Sequence, residues 1–94
     1  MIRINSFFEI SDSTRIGEAI ALGRELAEKS RAEAGCLGYE VMQSTTDPCT
    51  MMFCETWQTD EHLTAHSSTP HFKRLVPLIK ALTVNGTKCN KFKF

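Results

Sequence analysis

The sequence has no net charge, no long apolar run and no paired-cysteine motif, and each absence removes a class of function. Eleven Lys and Arg residues balance eleven Asp and Glu residues, and no basic cluster is sustained, so there is no field to draw in a polyanion. This argues against nucleic acid as a partner. No segment approaches the ~20 apolar residues that a membrane-spanning helix needs. The opening MIRINSFFEISDS also lacks the apolar core and small-residue cleavage site of a secretory leader. A cytoplasmic protein without a membrane partner is expected. Cys36, Cys49, Cys54 and Cys89 form no CxxC pair, and in a reducing compartment such thiols stay free and act as small core hydrophobes. GxGxxG, P-loop and GxSxG fingerprints are missing as well, so no cofactor is expected.

What is present is the composition of an ordinary folded domain: of 94 residues, 41% are hydrophobic and 23% charged, which fits neither a disordered nor a fibrous chain. A chain of this length holds one core, so residues 1–94 are read as a single domain.

Between Ile2 and Ile10 apolar residues alternate, with Ile2, Ile4, Phe8 and Ile10 on one side and Arg3, Asn5, Phe7 and Glu9 on the other, the period of a half-buried strand. Ser11, Asp12 and Ser13 offer helix-capping oxygens. Ile16, Ala19, Ile20, Gly23, Leu26, Ala27 and Ser30 then recur at helical spacing up to a stop at Gly35. Arg24 with Glu28 and Glu25 with Lys29 form candidate i,i+4 pairs on the outer face. CLGYEVMQS and MMFCETW, joined by the turn-forming Thr45, Thr46, Asp47 and Pro48, predict a hairpin with Leu37, Tyr39 and Val41 on its core side. Thr59 can cap a short helix ending at His66, and Thr69 followed by Pro70 starts another. Pro77 is expected to kink or end that helix. The tail from Thr83 to Phe94 reads as a fourth strand.

The order β-α-β-β-α-β predicts an α+β, ferredoxin-like fold, with a four-stranded antiparallel sheet covered by helices on one face. The bare face would carry Phe7, Met42, Met52 and Cys54, too apolar for water alone. Sheet-to-sheet pairing would cover it, so a homodimer is expected.

Two segments, EAGCLGYEV and ETWQTDEHLTAHSSTPHF, resemble the antibiotic biosynthesis monooxygenase superfamily, and within it the small bacterial quinol monooxygenase-type members. The resemblance runs along nearly the whole chain and is sharpest over Trp57, Leu63, His66, Thr69, Pro70, His71 and Phe72. It implies a dimeric α/β-barrel built from two ferredoxin-like sheets, with a pocket between each sheet and its helices. It also implies oxidation of a small phenolic or quinol-type aromatic substrate by O2 without metal or flavin.

A reaction of that kind needs a base for the phenolic proton, hydrogen-bond donors for the anion and walls that exclude water. His66 is the leading base candidate, because imidazole titrates near neutrality and lies one turn after Leu63. The competing reading is a structural histidine tying the helix end to the next loop. His71, in the first turn of the following helix, is a second catalytic candidate or a capping residue, since the helix dipole there favours neutral imidazole. Trp57 could wall a ring-shaped substrate or simply fill the core. Tyr39 alternates onto the helix side, as does Glu55, whose carboxylate needs a partner or a task once buried. Asn5 alternates onto the opposite face and reaches the pocket only if a bulge intervenes. His62 and His66 at i,i+4 raise the question of a metal, but the glutamate of HExxH is missing and no third ligand is evident, so no metal site is expected.

Three other activities fit the resemblance: haem degradation, isomerisation of a small phosphorylated metabolite, and a non-enzymatic dimeric ligand-binding module. The haem-degrading relatives use an Asn, a Trp and a His. Asn5 can match the first, but His66 and Leu75 or Val76 stand where the other two belong. The isomerase would need phosphate donors such as Lys73, Arg74 or Lys80.

Overall fold

The computed structural model describes residues 1–94. Strand β1 (Ile2–Ile10) leads through a single 3-10 turn (Ser13–Arg15) into helix α1 (Ile16–Arg31). Strands β2 (Cys36–Gln43) and β3 (Thr50–Trp57) follow, then helices α2 (Asp60–His66) and α3 (Pro70–Lys80) and strand β4 (Thr83–Lys93). The strands form one antiparallel sheet in the order β2-β3-β1-β4, the ferredoxin-like arrangement that the alternation of periods predicts.

Thr59 and Thr69 cap α2 and α3 as read from the sequence, whereas Asp12 caps the 3-10 turn ahead of α1, whose own N-cap, Arg15, makes no side-chain cap bond. Asp12 accepts a hydrogen bond from the Thr14 amide at 3.0 Å, Thr59 from the His62 amide at 3.2 Å and Thr69 from the Phe72 amide at 3.3 Å, each satisfying a donor that a first helical turn leaves free. Helix α1 lays Ala19, Gly23, Leu26, Ala27 and Ser30 onto the sheet. Of the two expected surface pairs on α1 only Lys29–Glu25 forms, at 2.8 Å, and Arg74 from α3 also binds Glu25.

Two local expectations are corrected, an early end of α3 at Pro77 and a buried Leu37. Helix α3 runs through Pro77 to Lys80 and is closed by the Ala81 amide donating to the Pro77 carbonyl at 3.0 Å. Leu75, Val76 and Ile79 pack the helix on the core, and that burial outweighs the one hydrogen bond proline removes. Leu37 is exposed rather than buried, because the β2–β3 register shifts between Cys36 and Gly38 and turns its side chain out.

The core between sheet and helices gathers Ile2, Phe8, Leu26, Phe53, Trp57 and Leu75. Across the sheet, Phe7 faces Met52 and Arg3 faces Phe92. Phe7, Met42 and Phe92 are 41%, 43% and 55% exposed there, so the chain by itself leaves this face uncovered. No helix is long and apolar enough to cross a membrane.

Candidate functional site

At the end of the sheet beside α2, His66 is the histidine that burial singles out, with 2% of its surface exposed. It sits in the last turn of α2, which Thr59 starts, and its ring is boxed by aromatic neighbours: Trp57 at 4.7 Å, Phe72 at 5.0 Å and Tyr39 at 5.4 Å between centroids. Trp57 ends β3 and Tyr39 stands on β2, so the strands hold two walls while α3 supplies the third.

The partner of His66 is Glu33, in the connection between α1 and β2. The His66 Nδ1–H donates to Glu33 Oε2 at 2.6 Å, and the His71 Nε2–H donates to the same oxygen at 2.8 Å. In the neutral ring, a proton held at Nδ1 by the carboxylate leaves the lone pair on Nε2. That atom is buried and has no hydrogen-bond partner. An unsatisfied buried acceptor costs roughly 1–3 kcal/mol.

The His66 side chain also lines a cleft between the sheet and the helices. One part, about 350 Å³, is lined by His66 with Ile4, Glu55, Leu63, Phe72 and Cys89. A deeper part of about 160 Å³ shares Glu55, Phe72 and Cys89 and continues past Tyr39 and Phe53 to Lys80. A cavity of about 150 Å³ is large enough for benzene, so one aromatic ring fits the deeper part.

Glu55 and Tyr39 are cross-strand partners in the β2–β3 ladder, and Glu55 Oε1 accepts the Trp57 indole N–H at 2.9 Å. Burial pushes the Glu55 carboxyl above its ordinary range, against the opposing pull of the Trp57 hydrogen bond and of His66. Burial, with the Glu55 charge beside it, also pushes the Tyr39 phenol far up, so Tyr39 stays a hydrogen-bond donor.

The raised Glu55 pKa has a consequence for stability. The folded state binds the Glu55 proton more tightly than the unfolded chain, so this contribution is present below the unfolded pKa and is lost as pH rises through the folded one. Glu55→Gln, which can still accept the indole N–H, is expected to remove that decline. Urea midpoints measured from mildly acid to neutral pH would fall less steeply in the variant; parallel curves would show that Glu55 is not the group responsible.

The structure thus brings His66, His71, Trp57, Tyr39 and Glu55 to one region and leaves Asn5 out. Asn5 lies on the bare face of the sheet, where its Oδ1 accepts the Arg3 Nε–H at 3.1 Å. The β1–β3 ladder continues without a bulge past Asn5, opposite Cys54, so nothing turns its side chain round. The His62–His66 pair does not form either: the His62 ring bonds Thr59 Oγ1 at 2.8 Å. Glu33 is the residue that sequence reasoning missed. Its signal was its place two residues before Gly35 in EAGCLGYEV, at the mouth of a loop that a left-handed glycine folds back.

The model of the antibiotic biosynthesis monooxygenase family matches residues 1–78. The chain belongs to that family. Among solved structures, it is similar to a conserved protein of unknown function and possible oxidoreductase from Bacteroides thetaiotaomicron. That match has 39% identity and a TM-score of 0.92, covering 99% of this chain and 96% of that one. A structure described as an antibiotic biosynthesis monooxygenase is 33% identical at a TM-score of 0.92, covering 100% and 98% of the two chains. SnoaB, a cofactor-independent oxygenase from Streptomyces nogalater, matches in fold alone, at 11% identity and a TM-score of 0.86 over 99% and 91% of the two chains. No curated protein sequence matches. This family member therefore has a monooxygenase-like fold and a cleft between sheet and helices, with a carboxylate-bound histidine in its lining.

Proposed function

We propose that this protein is a cofactor-independent monooxygenase that oxidises a small phenol or quinol-type ring with O2, using His66 as the base. The observation that carries the reading is the His66 imidazole itself: Nδ1–H on Glu33 and Nε2 buried without a partner, in a side chain that lines the cleft. A base oriented by a carboxylate on its far nitrogen is the arrangement that proton abstraction needs. SnoaB's description as a cofactor-independent oxygenase and family membership support the reaction class.

In this mechanism His66 Nε2 takes the phenolic proton, and Glu33 stabilises the imidazolium that forms. Phe72, Leu63 and Ile4 line the cleft and keep water out, which preserves the electron-rich anion for O2, while Trp57 packs on the His66 ring and fixes its position. A phenol and O2 then give a quinone and water, so one oxygen atom enters the ring and the other leaves with two hydrogens. Tyr39 and Glu55 line the deeper cleft, where they contact the substrate's polar groups. His71 shares the Glu33 oxygen and steadies its orientation.

Oxygen-electrode measurements with chelator-treated protein and a panel of phenols and hydroquinones test the reading. Substrate-dependent O2 uptake is expected, and no uptake across the panel would overturn it.

The working unit is a homodimer in which two bare sheet faces meet through Phe7, Met42, Met52 and Phe92. Light scattering after gel filtration is expected to give twice the 10.6 kDa chain mass. Phe7→Lys, which puts a charge in that face, is expected to give monomer. A wild-type protein that runs as monomer at micromolar concentration would dispose of the dimer.

A further inference from the structure

Glu33, His66 and His71 come from three different segments, and their ligand-capable atoms all lie within 4.8 Å of one another. We propose that this cluster is also a binding site for a divalent transition-metal cation of the zinc class, seated where the two imidazole protons now bridge to Glu33.

The donor set is two imidazole nitrogens and one carboxylate oxygen, a combination that suits such ions and leaves a fourth position for water. Both nitrogens already converge on Glu33 Oε2, from 2.6 and 2.8 Å. Around a tetrahedral zinc, ligand atoms stand about 3.3 Å apart, so the two nitrogen–oxygen gaps open by a fraction of an ångström, within reach of a carboxylate rotation, and rotation of the His71 side chain sets the gap between the nitrogens, which lie within 4.8 Å of each other. Access comes from outside the cleft: the Glu33 and His71 side chains are 13% and 16% exposed, against 2% for His66. The ion therefore enters on the side of the ring away from the substrate space.

Binding exchanges tautomers without net loss of protons when both rings are neutral. His66 Nδ1 and His71 Nε2 give up their hydrogens to bind the ion, and each ring carries its proton on the other nitrogen. For His66 that nitrogen is Nε2, the atom now bare and unpartnered in the interior. The metal-bound ring then presents a donor where the metal-free ring presents an acceptor. If His66 is the base proposed above, the ion is an inhibitor; the binding itself does not depend on that role.

Zinc titration of the chelator-stripped protein by calorimetry, with metal content by mass spectrometry, is expected to give one ion per chain at micromolar affinity or tighter. Cobalt(II) is expected to give the visible absorption of a tetrahedral site. Glu33→Gln and His71→Asn should each weaken zinc by at least about tenfold, whereas His62→Asn should not. Two variants guard against one that fails to fold, and circular dichroism reports on each. Nitrogen-15 NMR of the histidine rings should show the His66 proton moving from Nδ1 to Nε2 on saturation. Absence of stoichiometric binding would overturn the site, as would affinity unchanged in both cluster variants, which would locate the ion elsewhere. Neither outcome touches the oxygenase reading, which is decided by O2 uptake in metal-free protein.

Discussion

Replacing His66 with alanine is expected to lower hydroquinone turnover by roughly 10²–10⁴-fold, the contribution of a positioned general base. The loss should fall on kcat more than on KM, because Tyr39, Phe72 and Glu55 still shape the cleft and ground-state binding is largely theirs. His66→Gln sharpens the test, since glutamine fills much of the ring's volume but cannot accept the phenolic proton and become a stabilised cation. Its turnover should stay close to that of the alanine variant. Removing His66 also leaves the half-buried Glu33 carboxylate with His71 as its remaining partner, so a stability loss accompanies the change. Thermal unfolding of both variants separates the two effects. Oxygen consumption at the wild-type rate in folded His66→Gln would exclude His66 as the base.

The largest effect on folding from a single methyl group is expected at Gly35. Its φ is +80°, a conformation that costs other residues roughly 1–2 kcal/mol. A Cβ at this position would also overlap the His62 ring, meeting Cγ, Cδ2 and Nδ1 together. His62 cannot step aside without giving up its hydrogen bond to Thr59 Oγ1, and Thr59 caps α2. The Gly35 carbonyl, in addition, accepts the Gln58 amide at 2.8 Å, tying the loop to the start of α2. Gly35→Ala is therefore expected to destabilise the protein by more than the backbone cost alone. It should disturb the site as well, since the same displacement moves Glu33 on one side and the helix bearing His66 on the other. Gly38→Ala is the matched control: it lies nearby on β2, has nothing within 4 Å of the added methyl and has no positive φ. Urea unfolding should show a clear drop for the first substitution and little change for the second. Equal midpoints would mean that the loop tolerates a side chain and that Gly35 does not set the geometry of Glu33.

Particular residues show why some of the site was legible in the sequence and some was not. Trp57, Glu55 and Tyr39 follow from strand alternation once the helix-covered face is known, because a period of two assigns every second residue to the same side. The same rule put Asn5 on the other side, and an unbroken β1–β3 ladder keeps it there. His66 was read as a candidate from its residue type and its one-turn spacing from Leu63. What it does depends on a partner 33 residues earlier in the chain, and no local pattern encodes that distance. Leu37 and Pro77 failed for a related reason. A bulge in the β2–β3 pairing and the packing of α3 overrode the local preferences of those residues.

The sequence by itself determined the order of elements, their caps and the faces they bury, because hydrophobic period and capping chemistry act over a few residues. It also determined that one face of the sheet would be left apolar and bare. Only the tertiary structure decided that Glu33, His66 and His71 share a single oxygen and that His66 keeps an unpartnered nitrogen beside an aromatic cleft. Those properties depend on three segments meeting within hydrogen-bond distance, and that meeting is set by how α2 and α3 pack on the sheet.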